Sequence, residues 1–212
     1  MIDFIICIYW LTIYLLLFFG FNFSRKNTTM TTAFIHATTV TALSAISLYS
    51  CGVDFQRSNL LIECIVSKLS FWYFLSDLFL LLIFDRDIIY VIHHLCALGA
   101  FYSIMNIGFG LSAAMIILFL GEITNPIRLA KTMIYEHNKL IYRFLNLIFS
   151  WLFLLMRCVF MSYYYVLMYY DFLPFIDSTN DRNIILISTT IGLLGGYIWS
   201  GLIIKKKLKT LK

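Results

Sequence analysis

Six ionisable side chains interrupt the apolar stretches of this sequence, at His36, Asp77, His93, His94, Glu122 and Arg157. A charge inside hydrocarbon costs roughly 2.5–3.5 kcal/mol on insertion scales. Such side chains are therefore candidates for a functional role ahead of a purely structural one. An imidazole titrates near neutral pH and serves as a general base or a nucleophile, and a nearby carboxylate orients it. The set therefore predicts a site that transfers an acyl group or binds a polar group within the membrane.

Five of these six side chains share one depth. A helix rises about 1.5 Å per residue, which places all of them except Arg157 roughly 8–12 Å inside the same membrane face. Because four different helices contribute them, a polar cavity that opens near this face is the simplest account. Arg157 lies deeper, about 20 Å from that face. It either closes the floor of the cavity or pairs with Asp77 or Glu122 as a counter-ion.

The adjacent histidines are expected to play different parts. Neighbouring residues on a helix point about 100° apart, so only one of His93 and His94 faces the centre of the cavity. The same divergence argues against a shared metal ion, and no metal site is predicted. We expect one of the pair to act as base or nucleophile, Asp77 to orient it and Glu122 to assist. The expected ligand-binding residues are His36, Asn125 and Arg157.

Structural roles stay open for three of these residues. His36 precedes a run of small side chains that suits close helix packing. Asp77 follows Ser76, whose hydroxyl is a ready hydrogen-bond partner. Glu122 stands shortly before Pro126, and a polar helix end at a proline break would account for it without a site.

The elements that must position these residues are membrane-spanning helices. The chain is 61% apolar and 13% charged, with a mean hydropathy of +0.88. These are too few charged residues to cover the surface of a soluble domain. Continuous apolar blocks without alternation indicate helices rather than a barrel. The sequence predicts an all-α polytopic bundle of about seven helices, at 4–21, 31–51, 69–84, 88–105, 107–127, 144–170 and 184–204. The third block is short and the fifth ends in polar residues, so these two boundaries are the least defined.

The basic residues predict the orientation. With an N-terminus outside and alternating connections, twelve of the 16 lysines and arginines fall on one side, and only Arg57, Lys68 and Arg182 on the other. The positive-inside rule then predicts a lumenal or external N-terminus and a cytosolic C-terminus. The first block has no basic segment before it and no small-residue cleavage site after it, which indicates an uncleaved anchor. Asn22 and Asn27 head glycosylation sequons on the cytosolic side, where they would stay unmodified.

Three parts follow from this division. Residues 1–23 form an anchor helix, residues 24–205 a six-helix transmembrane domain and residues 206–212 a basic cytosolic tail. The tail favours anionic lipid headgroups, and no nucleic-acid partner is predicted. Cys51 and Cys64 flank one outside loop, so a disulfide between them stands as the alternative to free thiols.

Several stretches that contain these residues resemble landmarks of the TLC domain family, whose members include ceramide synthases, the translocating-chain-associating protein and other lipid-related proteins. They occur in the family's order, and the resemblance covers residues 24–205. The stretches are residues 34–37 (Phe-Ile-His-Ala), residues 70–78 ending in Asp77-Leu78, Asp87 followed by residues 92–95 (Ile-His-His-Leu), residues 121–126 and Met156-Arg157.

The departures from the family bear on function. Ceramide synthases continue from the paired histidine to a later histidine–aspartate and a further aspartate, whereas residues 117–122 here read Ile-Leu-Phe-Leu-Gly-Glu. No homeobox-like segment is present either. The chain therefore resembles the short TLC-domain proteins, and ceramide synthesis is not carried over.

The resemblance implies a role in membrane lipid metabolism or homeostasis, in the endoplasmic reticulum or a related endomembrane. Two functions fit. One is transfer of an acyl group from a cytosolic acyl-CoA to a lipid, which needs no further cofactor. The other is non-catalytic lipid binding, sensing or trafficking with membrane lipids as partners. A proton-coupled transporter ranks last because no pair of interrupted helices occurs in matching halves.

Overall fold

The computed structural model describes residues 2–84, 87–135 and 137–210, and helices account for most of them. Two of the helical paths contain a π-helical turn, and one ends in a short 3-10 turn. The elements are α1 (Ile2–Leu15) with a π turn (Leu16–Gly20), α2 (Arg25–Cys51), α3 (Leu61–Phe84), α4 (Ile88–Ile107), α5 (Leu111–Glu122), α6 (Asn125–Ile134), α7 (Lys139–Leu154) with a π turn (Leu155–Phe160), α8 (Met161–Asp171), a 3-10 turn (Leu173–Phe175) and α9 (Thr179–Thr210).

The predicted polytopic helical bundle is confirmed. Six segments are long and apolar enough to cross a membrane, and Ile5–Gly20 is a shorter apolar helix. Within the described ranges the only β-type pairing is an isolated bridge between Ser58 and Phe109. The six long segments are Arg25–Cys51, Leu61–Phe84, Ile88–Ile107, Leu111–Ile134, Lys139–Phe175 and Thr179–Lys205. The protein is thus an integral membrane protein, while its orientation stays a prediction.

The third helix is longer than its apolar block. α3 begins at Leu61 rather than at residue 69, because the charges in its first two turns have partners. Glu63 accepts a hydrogen bond from the backbone amide of Leu60 at 3.0 Å and pairs with Arg57 at 2.6 Å. Lys68 pairs with Asp3 of α1 at 2.9 Å. These contacts give the third span 24 residues.

The fifth span breaks where proline predicts a break. α5 ends at Glu122 and α6 begins at Asn125, with Pro126 in its first turn, where the missing amide hydrogen does no harm. At the other end of the chain α9 continues to Thr210. The last two residues of the predicted basic tail lie outside the described residues.

Small side chains hold the middle of the bundle together. α2 packs against α3 and α5, α3 against α4, and α4 against α9, while α6 packs on α7. On α5 the side chains of Ala113, Ala114 and Met115 are almost fully buried, and Ser44 of α2 approaches Met115. Small and hydroxyl side chains let helices approach closely in a membrane, where burial of apolar surface alone gives little attraction.

The bundle is closed at the end where α2 and α4 finish and α3 and α5 begin. Backbone carbonyls of Arg57 and Asp54 accept hydrogen bonds from the Gly110 amide and the Ser112 hydroxyl, at 3.4 and 2.7 Å. The side chain of Asn59 accepts one from the Leu111 amide at 3.0 Å. The buried ring of Phe172 covers Gly110 from the α8 side. The functional site is therefore expected at the opposite end.

Candidate functional site

A cavity of about 950 Å³ lies at that opposite end, and side chains of α2, α3, α4, α6, α7 and α9 and the end of α5 line it. The helices run antiparallel, so the polar residues near the start of α2 and α4 meet those near the end of α3 and α5. The structure places every residue of the predicted site in its wall, although their roles stay predictions. These are His36, Asp77, His93, His94, Glu122, Asn125 and Arg157.

His94 uses both ring nitrogens within the protein. Its Nδ1 lies 2.7 Å from the carbonyl oxygen of Tyr90, and its Nε2 lies 2.9 Å from Oδ2 of Asp77. A carbonyl oxygen can only accept, so Nδ1 carries a hydrogen and donates it. The second contact then needs a proton between imidazole and carboxylate. His94 and Asp77 therefore share at least one proton, and the ring is fixed in place.

His93 differs from its neighbour. In the part of the chain that the structure describes, neither ring nitrogen has a hydrogen-bond partner; the ring meets aromatic faces instead. Its centroid lies 6.1 Å from those of Phe74 and Trp199 and 5.6 Å from that of His94. No group of three histidine, cysteine or acidic side chains among the described residues could hold a metal ion. His93 is thus the imidazole available to a ligand.

His36 lies in an aromatic enclosure. It is 1% exposed and stacks on Tyr73 with ring centroids 3.8 Å apart and an interplanar angle of 10°. Trp10 and Phe74 approach it edge-on at 5.6 and 5.4 Å. Its Nε2 lies 3.4 Å from the hydroxyl of Ser70. This environment fits the packing role that the sequence left open for His36 as well as a place in the cavity wall.

Glu122 is held by the helix break. Its Oε2 accepts a hydrogen bond from the side-chain amide of Asn125 at 2.8 Å, across the turn between α5 and α6. Glu122 is 8% exposed, so the Asn125 contact offsets part of the cost of burying a carboxyl group. The two predicted residues therefore act as one unit.

Arg157 projects from the π turn between α7 and α8, a feature often found at functional sites. Its Nη2 donates to the carbonyl oxygen of Gly121 at 2.6 Å, and its stem passes Gly196 of α9. It forms no ion pair with Asp77 or Glu122. Arg157 lines both cavities described here, and Glu122 attracts it through space, so both roles that the sequence allowed stay predictions.

The cavity also has walls that sequence reasoning missed. Arg128 and Lys131 contribute from α6, and Lys131 donates to Asn146 of α7 at 2.8 Å. Their spacing of three residues puts them on one helix face, a signal that could have been used. The sequence also did not predict that one face of α7 lines the cavity. Its residues there are Tyr142, Asn146, Phe149, Ser150 and Phe153.

A second, apolar cavity of about 110 Å³ adjoins the first and extends towards the closed end. The two cavities share Phe74, His93, Glu122 and Arg157 in their walls. The second is lined mainly by small and apolar side chains of α4, α5, α8 and α9, such as Ala97, Ala100 and Ala114. His93 therefore lies at the border between a polar and an apolar compartment.

Comparison with known proteins adds one finding. A family model described as the TLC domain matches residues 26–205, which leaves residues 1–25, with α1 and its π turn, and residues 206–212 unmatched. No curated protein matches the sequence.

Proposed function

The chain belongs to the TLC domain family, and from this premise we propose that it transfers an acyl group from acyl-CoA to a membrane lipid, with His93 as the general base. The observation that carries the proposal is the free imidazole of His93 at the border of the two cavities. The first carbons of an acyl chain would lie in the apolar cavity, and its thioester carbonyl would then lie beside His93.

The reaction follows from the groups that face this point. His93 takes the proton from a hydroxyl or amine of the acceptor lipid, which attacks the thioester carbonyl. The carbon–sulfur bond breaks, and the thiolate of coenzyme A leaves and accepts the proton from His93.

The remaining predicted residues would position this base. The pair of His94 and Asp77 fixes the first turns of α4 against α3, so the His93 ring keeps its place. Glu122, held by Asn125, assists from the opposite wall. In the proposed arrangement the polar cavity faces the cytosol, where acyl-CoA is found, and the protein works in the endoplasmic reticulum or a related endomembrane.

One observation favours a non-catalytic alternative. His94, Asp77, Glu122 and His36 already have partners inside the protein, which is what a rigid headgroup pocket without chemistry would require. The second candidate is therefore a lipid-binding, lipid-sensing or trafficking protein that uses the same cavity.

Lipid analysis of membranes that contain the protein separates the two functions. Wild type should change the amount of one lipid class, and His93→Ala should abolish that change. The matched control is His137→Ala, because His137 is exposed and lies outside the cavity wall. A wild type that binds a lipid but alters none would leave only the binding function. Full activity of His93→Ala would exclude its role as base.

A further inference from the structure

Two arginines in the cavity wall form no ion pair with any carboxylate in the part of the chain that the structure describes. Arg128 of α6 and Arg157 each have a buried Nε without a hydrogen-bond partner. Arg157 donates only to the carbonyl of Gly121, and neither guanidinium forms an ion pair among the described residues. A guanidinium group inside a membrane protein is unfavourable unless its N–H donors have partners, so these two arginines are candidates to bind an anionic group.

The acids of the same cavity are engaged elsewhere. Asp77 faces His94, and Glu122 accepts from Asn125. Asp87 accepts from the Ile89 amide at the start of α4. Lys131 donates to the side chain of Asn146. Glu122 attracts both arginines through space but is not in direct contact with either. The two guanidinium groups therefore keep N–H donors that no described carboxylate occupies and that a ligand can use.

We propose that Arg128 and Arg157 bind a phosphate group of an amphiphilic ligand whose acyl chain enters the adjoining apolar cavity. The planar guanidinium fork matches the oxygens of a phosphate, and charge-assisted hydrogen bonds of this kind are the strong ones. The apolar cavity touches Arg157, so one molecule can reach both compartments. This inference concerns the cavity of the proposed function and names the class of ligand it takes.

Two kinds of molecule could supply the phosphate group. One is the headgroup of a phospholipid, and the other is the diphosphate of an acyl-coenzyme A. Each molecule combines a phosphate with an acyl chain, and separate probes distinguish them.

Binding to the purified full chain in detergent micelles tests the proposal without any reaction. The lipid probes are dihexadecyl-ether phosphatidic acid and dihexadecyl glycerol, which lack an ester and differ only in the phosphate. Coenzyme A is the soluble probe. Native mass spectrometry or microscale thermophoresis should find the phosphate lipid, coenzyme A or both bound well above dihexadecyl glycerol.

The variants locate the site. Arg128→Gln should weaken binding of the phosphate probe roughly tenfold, the loss expected for one charged hydrogen-bond donor. Arg143→Gln removes the same charge from an exposed position on α7 outside the cavity wall and should leave binding unchanged. Arg157→Gln is the second test, should Arg128→Gln fail to fold.

Each outcome decides the proposal. Equal binding of the phosphate and non-phosphate lipids, or an Arg128→Gln variant that binds like wild type, overturns it. Binding of only the lipid phosphate or only coenzyme A supports it and identifies the source. These probes cannot react, so the binding test does not depend on acyl transfer. Loss of the phosphate preference would overturn the phosphate site alone, and a failed acyl-transfer assay would overturn the proposed reaction alone.

Discussion

At the scale of single residues, the paired histidines illustrate what a sequence leaves undecided. Their 100° divergence predicts different surroundings, but not which ring is free. The carbonyl of Tyr90 and the carboxylate of Asp77 occupy both nitrogens of His94, and these contacts depend on the register of α3 against α4. The free ring of His93 could therefore be identified only in the folded protein.

Gly110 gives a residue-scale prediction about the closed end of the bundle. Its φ of +78° is a left-handed conformation, and an added Cβ would overlap the ring of Phe172. Gly108 has the same φ but open space around it. Gly108→Ala should lose about 1 kcal/mol from strain alone. Gly110→Ala should lose about 1–3 kcal/mol more from overpacking.

Unfolding of both glycine variants by sodium dodecyl sulfate in mixed micelles measures these losses. Equal stabilities for the two would contradict the contact between Gly110 and Phe172.

The buried Glu63 gives a second prediction at this scale. Its carboxylate is paired with Arg57 and caps the start of α3 through the Leu60 amide. Glu63→Gln keeps the shape but removes the charge, and leaves the guanidinium of Arg57 without its carboxylate. We expect a loss of about 1–3 kcal/mol in the free energy of unfolding.

Asp171→Asn is the control for Glu63→Gln, since Asp171 is exposed and its neutralisation should change stability by less than about 0.5 kcal/mol. If both variants unfold together with wild type, the ion pair does not support α3.

At the scale of elements, apolar blocks were enough to predict where helices lie but not where they begin. Eight residues of α3 were missed because Glu63 and Lys68 look like loop charges in the sequence. Their partners Arg57 and Asp3 make them compatible with a helix, and Asp3 is far away in the chain. Arg128 was missed as a site residue for a similar reason. A basic residue at the end of an apolar block indicates which side of the membrane that end faces, and it does not by itself indicate a cavity.

α1 gives the prediction at this scale, because it lies outside the matched domain yet builds part of the site. Trp10 is 2% exposed, donates from Nε1 to the Leu69 carbonyl at 2.9 Å and contacts both His36 and Tyr73 edge-on. Trp10→Ala should lose about 3 kcal/mol of unfolding free energy, the usual cost of emptying a buried aromatic site. It should also weaken lipid binding, because the enclosure of His36 opens.

The neighbouring variant Leu11→Ala is the control for α1, since Leu11 points about 100° away from Trp10 and is exposed. Detergent unfolding and lipid binding are measured for both variants. A stable Trp10→Ala protein with unchanged binding would show that α1 is dispensable to the site.

At the scale of the whole molecule, the bundle is closed at one end by loops and hollow at the other. The closed end carries Arg57 and its neighbours, and the hollow end carries the charged residues of α6 and the start of α7. The predicted orientation puts the hollow end in the cytosol, because the basic residues concentrate there. A cytosolic acyl-CoA would then enter directly, and the orientation thus links the fold to the proposed reaction.

The two ends of the chain test this orientation and the number of spans together. The apolar part of α1, Ile5–Gly20, is about 24 Å long, short of a hydrocarbon core of about 30 Å. If it crosses with the help of its flanking residues, seven spans put the termini on opposite sides. A sequon-bearing extension fused to the N-terminus should then gain a glycan in microsomes, and the same extension at the C-terminus should not.

The matched control carries Gln in place of the acceptor Asn in each extension, which removes the glycan without changing the insertion signals. The natural sequons at Asn22 and Asn27 should stay unmodified in the same experiment, since the predicted topology puts them in the cytosol. Extensions modified at neither end would mean six spans with α1 outside the membrane. A glycan at the C-terminus would turn the cavity towards the lumen, and acyl-CoA would lose its direct access to His93.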